Sequence, residues 1–222
     1  MKPEIIQTAD GSHSLYLKEL DEHYHSVHGA IQEGIHVFIK AGLQACNKEN
    51  VSILEIGLGT GLNALLTLME VQRSNKQIHY TAIEAFPLEE QLIAQLNYVQ
   101  VLKAEELMEQ FKHMHASAWG REQTINKQFT LLKLKGQLQT TVFPATYDLI
   151  YFDAFGPRVQ PEMWTEEIFS KMYAVLNAGG MLVTYCAKGE VKRTLKKVGF
   201  VVETLPGPPG KREMVRARKE IL

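Results

Sequence analysis

The stretch that most constrains this chain is Val51 to Leu68, VSILEIGLGTGLNALLTL. Val51–Ile56 is a short apolar run with β-branched residues and reads as a buried strand. Gly57-Leu58-Gly59-Thr60-Gly61 follows as a turn. Leu62, Leu65, Leu66, Leu68 and Met69 then recur at helical spacing in a segment that runs to Gln72. Strand, glycine turn and helix make a βα unit that offers its backbone to a ligand. The glycines keep side chains out of the way, and the helix start presents free N–H groups at a positive dipole end. Spacing narrows the ligand. A dinucleotide fingerprint reads G-x-G-x-x-G and seats a pyrophosphate, whereas here the order is G-x-G-x-G with Glu55 just ahead of it. A carboxylate at that place repels a pyrophosphate and suits a ligand with an ammonium group and no phosphate. A nicotinamide or flavin ligand, or a turn with no ligand at all, are the competing readings.

The next strand candidate, Ile78–Ile83, ends at Glu84, an acid placed to accept hydrogen bonds from two ribose hydroxyls. Glu55, Gly57, Gly59 and Gly61 together with Glu84 resemble the first two motifs of class I S-adenosylmethionine-dependent methyltransferases. The resemblance implies S-adenosyl-L-methionine as cofactor, held by Glu55, Gly57, Gly59, Gly61, Asn63 and Glu84.

The 222 residues suit one large or two small domains, and the composition is that of an ordinary soluble globular protein. No apolar run is long enough for a membrane span, and the N-terminal segment MKPEIIQTADGS has no signal core, so a cytoplasmic protein is expected. Cys46 and Cys186 are far apart and without metal spacing, which predicts free, reduced thiols. His23, His25 and His28 lack an acid at firm ligand spacing, and no metal site is expected. The net charge of −1 argues against nonspecific nucleic-acid binding, but from Lys188 onward ten lysines and arginines face only four glutamates. That basic third reads as a phosphate-facing edge or as a solvated helix face with internal ion pairs.

Along the chain, Ile5–Leu17 reads as a hairpin around Asp10-Gly11. A helix is expected over Ala30–Ala41 with Gly42 as its C-cap. The stretch before it, with Tyr24, His25 and Ser26, reads as a wall of the ligand pocket. Pro87 is expected in the first turn of a helix running to about Asn97, followed by a second helix near Ala104–Ala118. Phe129–Leu134 is the third strand of the main sheet. Many methyltransferases place an acid just after it to meet the adenine amine, whereas here Lys135-Gly136 follows, which leaves that contact to the backbone. Tyr147–Asp153, YDLIYFD, is the fourth strand. Thr165 is the N-cap of a helix that ends at Asn177–Gly180, and Met181–Cys186 is the fifth strand. The helix Glu190–Val198, a sixth strand from Gly199 to about Thr204, a turn-rich loop and an antiparallel last strand at Lys211–Arg218 complete the chain. The order is that of an α/β Rossmann-like fold: a mostly parallel sheet with helices on both faces, and a small N-terminal hairpin and helix as appendage. One domain is expected over residues 1–222, with the appendage at 1–45 and the core at 46–222.

Ligands of open parallel sheets sit outside the carboxyl ends of the strands, so Asp153 arrives at the edge that carries Gly57–Gly61. There it is placed to accept a hydrogen bond from an amine and orient its lone pair, with His25 as a proton acceptor that titrates near neutrality. Asp153 as a mere loop cap is the plainer reading. Phe155 and Trp164 are the aromatics nearest that edge and read either as base-stacking or as core residues. Lys211 and Arg212 form a basic tip that reads as a phosphate contact or an exposed hairpin end.

Asp153-Ala154-Phe155-Gly156-Pro157, Pro161-Glu162-Met163-Trp164, Gly179-Gly180 and Gly210-Lys211-Arg212-Glu213-Met214 together resemble the methyltransferase half of the bacterial family that completes 5-methylaminomethyl-2-thiouridine at the tRNA wobble position. Tyr24-His25-Ser26 with Gly29-Ala30 and Glu33 is similar to its standalone members, which lack the flavin-dependent oxidase half. The resemblance implies methyl transfer to the amine of 5-aminomethyl-2-thiouridine in tRNA, an aminomethyl substrate made by a separate enzyme, and Asp153 as the residue that positions the amine. Transfer of a methyl or aminopropyl group to a small free amine is the alternative, and a non-catalytic binding module a third reading.

Overall fold

The computed structural model describes residues 3–221, so Met1, Lys2 and Leu222 of the segments discussed above lie outside it. The chain opens with a three-stranded antiparallel sheet: β1 (Glu4–Gln7), β2 (His13–Leu17) and the two-residue β3 (Glu22–His23). The turn at Asp10-Gly11 is built by the Asp10 carboxylate, which accepts from the Ser12 N–H and from the Thr8 hydroxyl. Helix α1 (Ala30–Gly34) follows and passes directly into a π-helical stretch, Ile35–Lys40.

The main unit then alternates strands and helices: β4 (Asn50–Ile56), α2 (Leu62–Val71), β5 (Gln77–Glu84), α3 (Glu90–Ile93), α4 (Tyr98–Val101), α5 (Met108–Ala116), β6 (Gln123–Asn126), β7 (Phe129–Lys135), β8 (Tyr147–Phe152), α6 (Glu166–Val175), β9 (Leu176–Thr184), α7 (Gly189–Val198), β10 (Val201–Pro206) and β11 (Glu213–Arg218). The sheet order is β10-β11-β9-β8-β4-β5-β7-β6. Strands β4, β5, β7, β8 and β9 pair in parallel, β11 is antiparallel to both its neighbours, and β6 is antiparallel to β7. This is the mostly parallel Rossmann-like sheet with an antiparallel last strand.

Successive residues of the central strands enter different cores, as a period of two requires. On β4, Val51 and Ile53 pack with α2, α5 and the π-helical stretch, whereas Leu54 and Ile56 pack with α6 and α7. Glu55 shares the face of Val51 and Ile53 and is completely buried. Among the described residues no helix is long and apolar enough to cross a membrane.

Several expected boundaries shift. The single helix Ala30–Ala41 is part α and part π: the Ala41 N–H donates to His36 O, five residues back. Val37, Phe38 and Ile39 of this stretch are all buried. Gly42 is not a left-handed cap; its φ is −102°. It is glycine because a Cβ there would stand 2.4 Å from Phe38 O, with Val183 and Tyr151 close by. The helix expected from Pro87 to Asn97 is one short turn, α3, and Pro87 precedes it. Strand β6 was not foreseen, because its four residues QTIN carry no apolar alternation. Asn177–Gly180 is not a helix end but a bulge within β9, where the register against β8 slips between Tyr147 and Leu149.

Gly42→Ala should lower the unfolding free energy by roughly 1–3 kcal/mol through overpacking against the Phe38 carbonyl. Urea denaturation reads this as a lower midpoint at constant slope.

Candidate active site

Three strand ends build one cavity of about 900 Å³ at the carboxyl edge of the sheet. From β4 comes the turn with Gly57, Leu58, Gly59 and Thr60, from β5 comes Glu84, and from β8 comes Asp153. The parallel registers Ile56↔Ile83 and Ile56↔Phe152 set these three side by side. Gly57 has φ +89° and lies so close to the β8 end that a Cβ would stand 2.9 Å from Asp153 O.

Glu84 is tied to backbone on both oxygens. One accepts the Gly59 N–H at 2.9 Å and the other the Phe86 N–H at 2.8 Å. A carboxylate has about four acceptor directions, so half remain for a ligand's hydroxyls. The stretch after β7, Gly136 to Gln139, forms another part of the wall where the sequence has no acid. Phe86, Leu88, Gln160 and Met163 also line the cavity. Met163 belongs to the Pro161–Trp164 block, whereas Phe86, Leu88 and Gln160 are marked only by their position after strands β5 and β8.

The N-terminal segment forms the facing wall with Tyr24 and His25. The Tyr24 ring meets Phe155 edge-on at 5.1 Å and lies over Gly59. Burial, with the Glu84 charge nearby, pushes the Tyr24 hydroxyl up to about 12. His25 is pinned between the Ser14 hydroxyl at 3.2 Å and Thr60 Oγ1 at 3.5 Å. Burial pushes its imidazole down to about 4. His25 is therefore neutral at pH 7 but only weakly basic, a poorer proton acceptor than the near-neutral imidazole expected from the sequence.

Asp153 lies recessed in the cavity wall, and its Oδ2 accepts a hydrogen bond from Asn63 Nδ2 at 2.8 Å. Burial, reinforced by the negative Glu33, pushes its carboxyl up to about 7, against the opposing pull of Asn63 and Lys211. A carboxyl that titrates near neutrality suits proton exchange with an amine far better than an ordinary one near 4.

Six expected site residues stand elsewhere. Glu55 lies in the core beneath the turn and does not line the cavity. The β pleat aims it at α2 rather than at the carboxyl edge. Gly61 caps α2 in the left-handed conformation with the His115 ring behind it, and it too is off the wall. Ser26 donates its N–H to Glu33 and accepts from the His28 N–H, so it shapes the segment rather than the pocket. Trp164 is a core residue: its Nε1 donates to Phe155 O at 2.8 Å, and its ring packs against Phe152 and Phe169. No base can stack on it. Lys211 turns inward to pair with buried Glu33, its ammonium 3.9 Å from the centre of the Tyr185 ring. Of the basic tip only Arg212 is exposed.

Comparison with known proteins decides the family. Residues 102–220, more than half of the chain, match the family described as S-adenosyl-L-methionine-dependent methyltransferase. The chain belongs to this family. The fit is visible in the site, where glycine turn, doubly anchored Glu84 and cavity make a cradle for that cofactor.

Among its relatives are the tRNA 5-methylaminomethyl-2-thiouridine biosynthesis bifunctional proteins MnmC of Magnetococcus marinus and Cupriavidus metallidurans. The first is 30% identical over 206 residues, covering 88% of this chain and 31% of the relative; the second is 30% identical over 231 residues, covering 97% and 34%. The chain thus spans about a third of the length of these relatives. The crystal structure of MnmC2 from Aquifex aeolicus is 28% identical with a TM-score of 0.76, covering 97% of this chain and 69% of that one. A methyltransferase from Pyrococcus furiosus, at 20% identity and TM-score 0.51, shares the fold.

Asp153 gives a stability test whose sign follows from the raised carboxyl. Between about pH 4 and 7 the folded protein binds the proton that the unfolded chain has lost, so this group's contribution falls as pH rises through that window. Asp153→Asn removes the penalty. The ligand-free variant should unfold at higher temperature than the parent at pH 8, by roughly 1–3 kcal/mol, with the gap closing below pH 4.

Proposed function

We propose that this methyltransferase transfers a methyl group to the primary amine of 5-aminomethyl-2-thiouridine at the wobble position of tRNA, giving 5-methylaminomethyl-2-thiouridine. The observation that carries the reading is Asp153, a recessed carboxyl with its titration near neutrality at the cofactor cradle. The likeness of nearly the whole chain to part of the proteins named for this biosynthesis supports it. The reading makes the protein a cytoplasmic enzyme that acts on an aminomethyl substrate made in an earlier step. It treats residues 1–222 as one methyltransferase domain, whose first 45 residues contribute a wall of the site.

S-adenosylmethionine supplies a methyl group already activated by its sulfonium, so the chain's task is alignment and proton control. Glu84 would accept hydrogen bonds from the ribose hydroxyls, and the backbone at Gly57 and Gly59, with Asn63 and the wall at Gly136–Gln139, would hold the rest of the cofactor. An entering ammonium group gives up a proton before its nitrogen can act as a nucleophile. Asp153 is matched to take that proton or to accept a hydrogen bond from the resulting amine. Tyr24 and Phe155 wall the amine's side of the cavity.

The nearly neutral chain also needs a local edge for tRNA. Strand β11 starts opposite the end of β9, so its approach loop and the start of α7 lie at the same sheet edge as Asp153. Ion pairs sort the basic residues there. Lys192 pairs with Glu213 and Lys211 with Glu33, whereas Arg193 and Arg212 are exposed and form no side-chain ion pair among the described residues. We assign the phosphate contacts to these two.

Incubating tRNA from cells that stop at the aminomethyl stage with the protein and S-adenosylmethionine should add one methyl to the wobble nucleoside, read by mass after digestion. Asp153→Ala and Glu84→Ala should lower this at least tenfold, the latter through cofactor affinity. Turnover of free polyamines in place of tRNA would move the substrate to small amines. Charge reversal at Arg193 and Arg212 should weaken tRNA binding and flatten its salt dependence while leaving cofactor affinity in place; an unchanged salt slope would remove them from the interface.

A further inference from the structure

The sequence placed Glu55 against the cofactor, and the fold places it elsewhere. Its side chain is completely buried, it is absent from the cavity wall, and one of its oxygens, Oε2, has no hydrogen-bond partner. Its other oxygen accepts from Asn63 Nδ2 at 3.1 Å. The same amide nitrogen donates to Asp153 Oδ2 at 2.8 Å. Asn63 is 3% exposed, and its own Oδ1 is unpartnered, opposite Gly34. One amide nitrogen therefore bridges two carboxyl groups, one deep in the core and one in the cavity.

Two ionised carboxylates on one buried amide are not a stable arrangement. Each repels the other, and the deeper one has no cation among its contacts to offset the loss of water. The groups facing the pair are Tyr80 and Glu84 from β5, Tyr151 from β8, Tyr185 just after β9, Glu33 from α1, and Lys211 from the loop before β11. Lys211 is the one cation in this set, and it is engaged with Glu33. The charge therefore rests on Asp153, which has the cavity and its ligands to face, and Glu55 stays neutral.

We propose that Glu55 is a positioning residue: as a neutral carboxylic acid it anchors the Asn63 amide, which in turn fixes the rotamer of Asp153 toward the amine. Glu55 is then no counterion for the cofactor's ammonium group, despite its place before the glycine turn. Burial drives its carboxyl well above the usual range, and the nearby Asp153 charge adds to that, which agrees with the geometry. The proposal rests on the assignment of Asp153 to the amine, and its test separates the two.

The experiment compares Glu55→Gln and Glu55→Ala with the parent in three measurements: cofactor affinity by calorimetry, thermal stability from pH 5 to 8, and the pH profile of methyl transfer. Glutamine is the neutral isostere and keeps the contact to Asn63. Glu55→Gln should bind S-adenosylmethionine within about threefold of the parent and gain on it in stability as the pH rises from 5 to 8, because the parent's neutral buried Glu55 keeps a proton that the unfolded chain loses there, whereas glutamine does not titrate. It should also recover most of the transfer rate lost in Glu55→Ala, with the acid limb of the profile in place. A loss of cofactor affinity of tenfold or more in Glu55→Gln would overturn the proposal, since an ionised counterion would then be missing. So would a shift of the acid limb to lower pH by about a unit or more, the sign of a removed like charge. If Glu55→Ala does not fold, the Gln variant's affinity and stability curves still decide. If the parent methylates no wobble nucleoside, the substrate reading fails, while those same two curves judge Glu55 independently.

Discussion

The site depends on the parallel register of three strands. Because Ile56 stands level with Ile83 on one side and with Phe152 on the other, the three strands end at the same edge. The glycine turn, Glu84 and Asp153 are in place because those apolar strands pair and are buried on both faces, as strands of a parallel sheet must be. The Gly59 and Phe86 N–H groups held by Glu84 then lock the turn to its neighbour. Cofactor cradle and sheet core are one construction: shifting the pairing by a residue would turn every side chain over and dismantle both.

Much of this was legible in the sequence. The apolar runs at 51–56, 78–83 and 147–152, each ending in a glycine or an acid, dictate the sheet and its functional edge. What was not legible has common physical causes. Strand β6 has no apolar alternation because it is an edge strand held by one neighbour. The π-helical stretch hides in a pattern that satisfies an α-helix equally well.

The site misreadings are of another kind. Glu55, Trp164 and Lys211 were assigned by residue type near a motif, and type does not say which way a side chain points. Glu55 follows the pleat into the α2 face, Trp164 spends its N–H on the Phe155 carbonyl, and Lys211 finds a buried acid from the other end of the chain. His25 was expected to titrate near neutrality because histidine does so in water. The burial that makes it a pocket wall also keeps it uncharged.

The pair between Lys211 and Glu33 joins positions 178 apart, and His36 reaches Pro206 across 170. The N-terminal segment that walls the cavity is thus fastened by the last hairpin of the fold. On a growing chain, the cofactor turn and its neighbouring strands emerge long before that fastener exists. The wall with Tyr24 and His25 therefore becomes fixed only once that hairpin has been made, and a cradle without its wall is what the nascent protein presents in the interval.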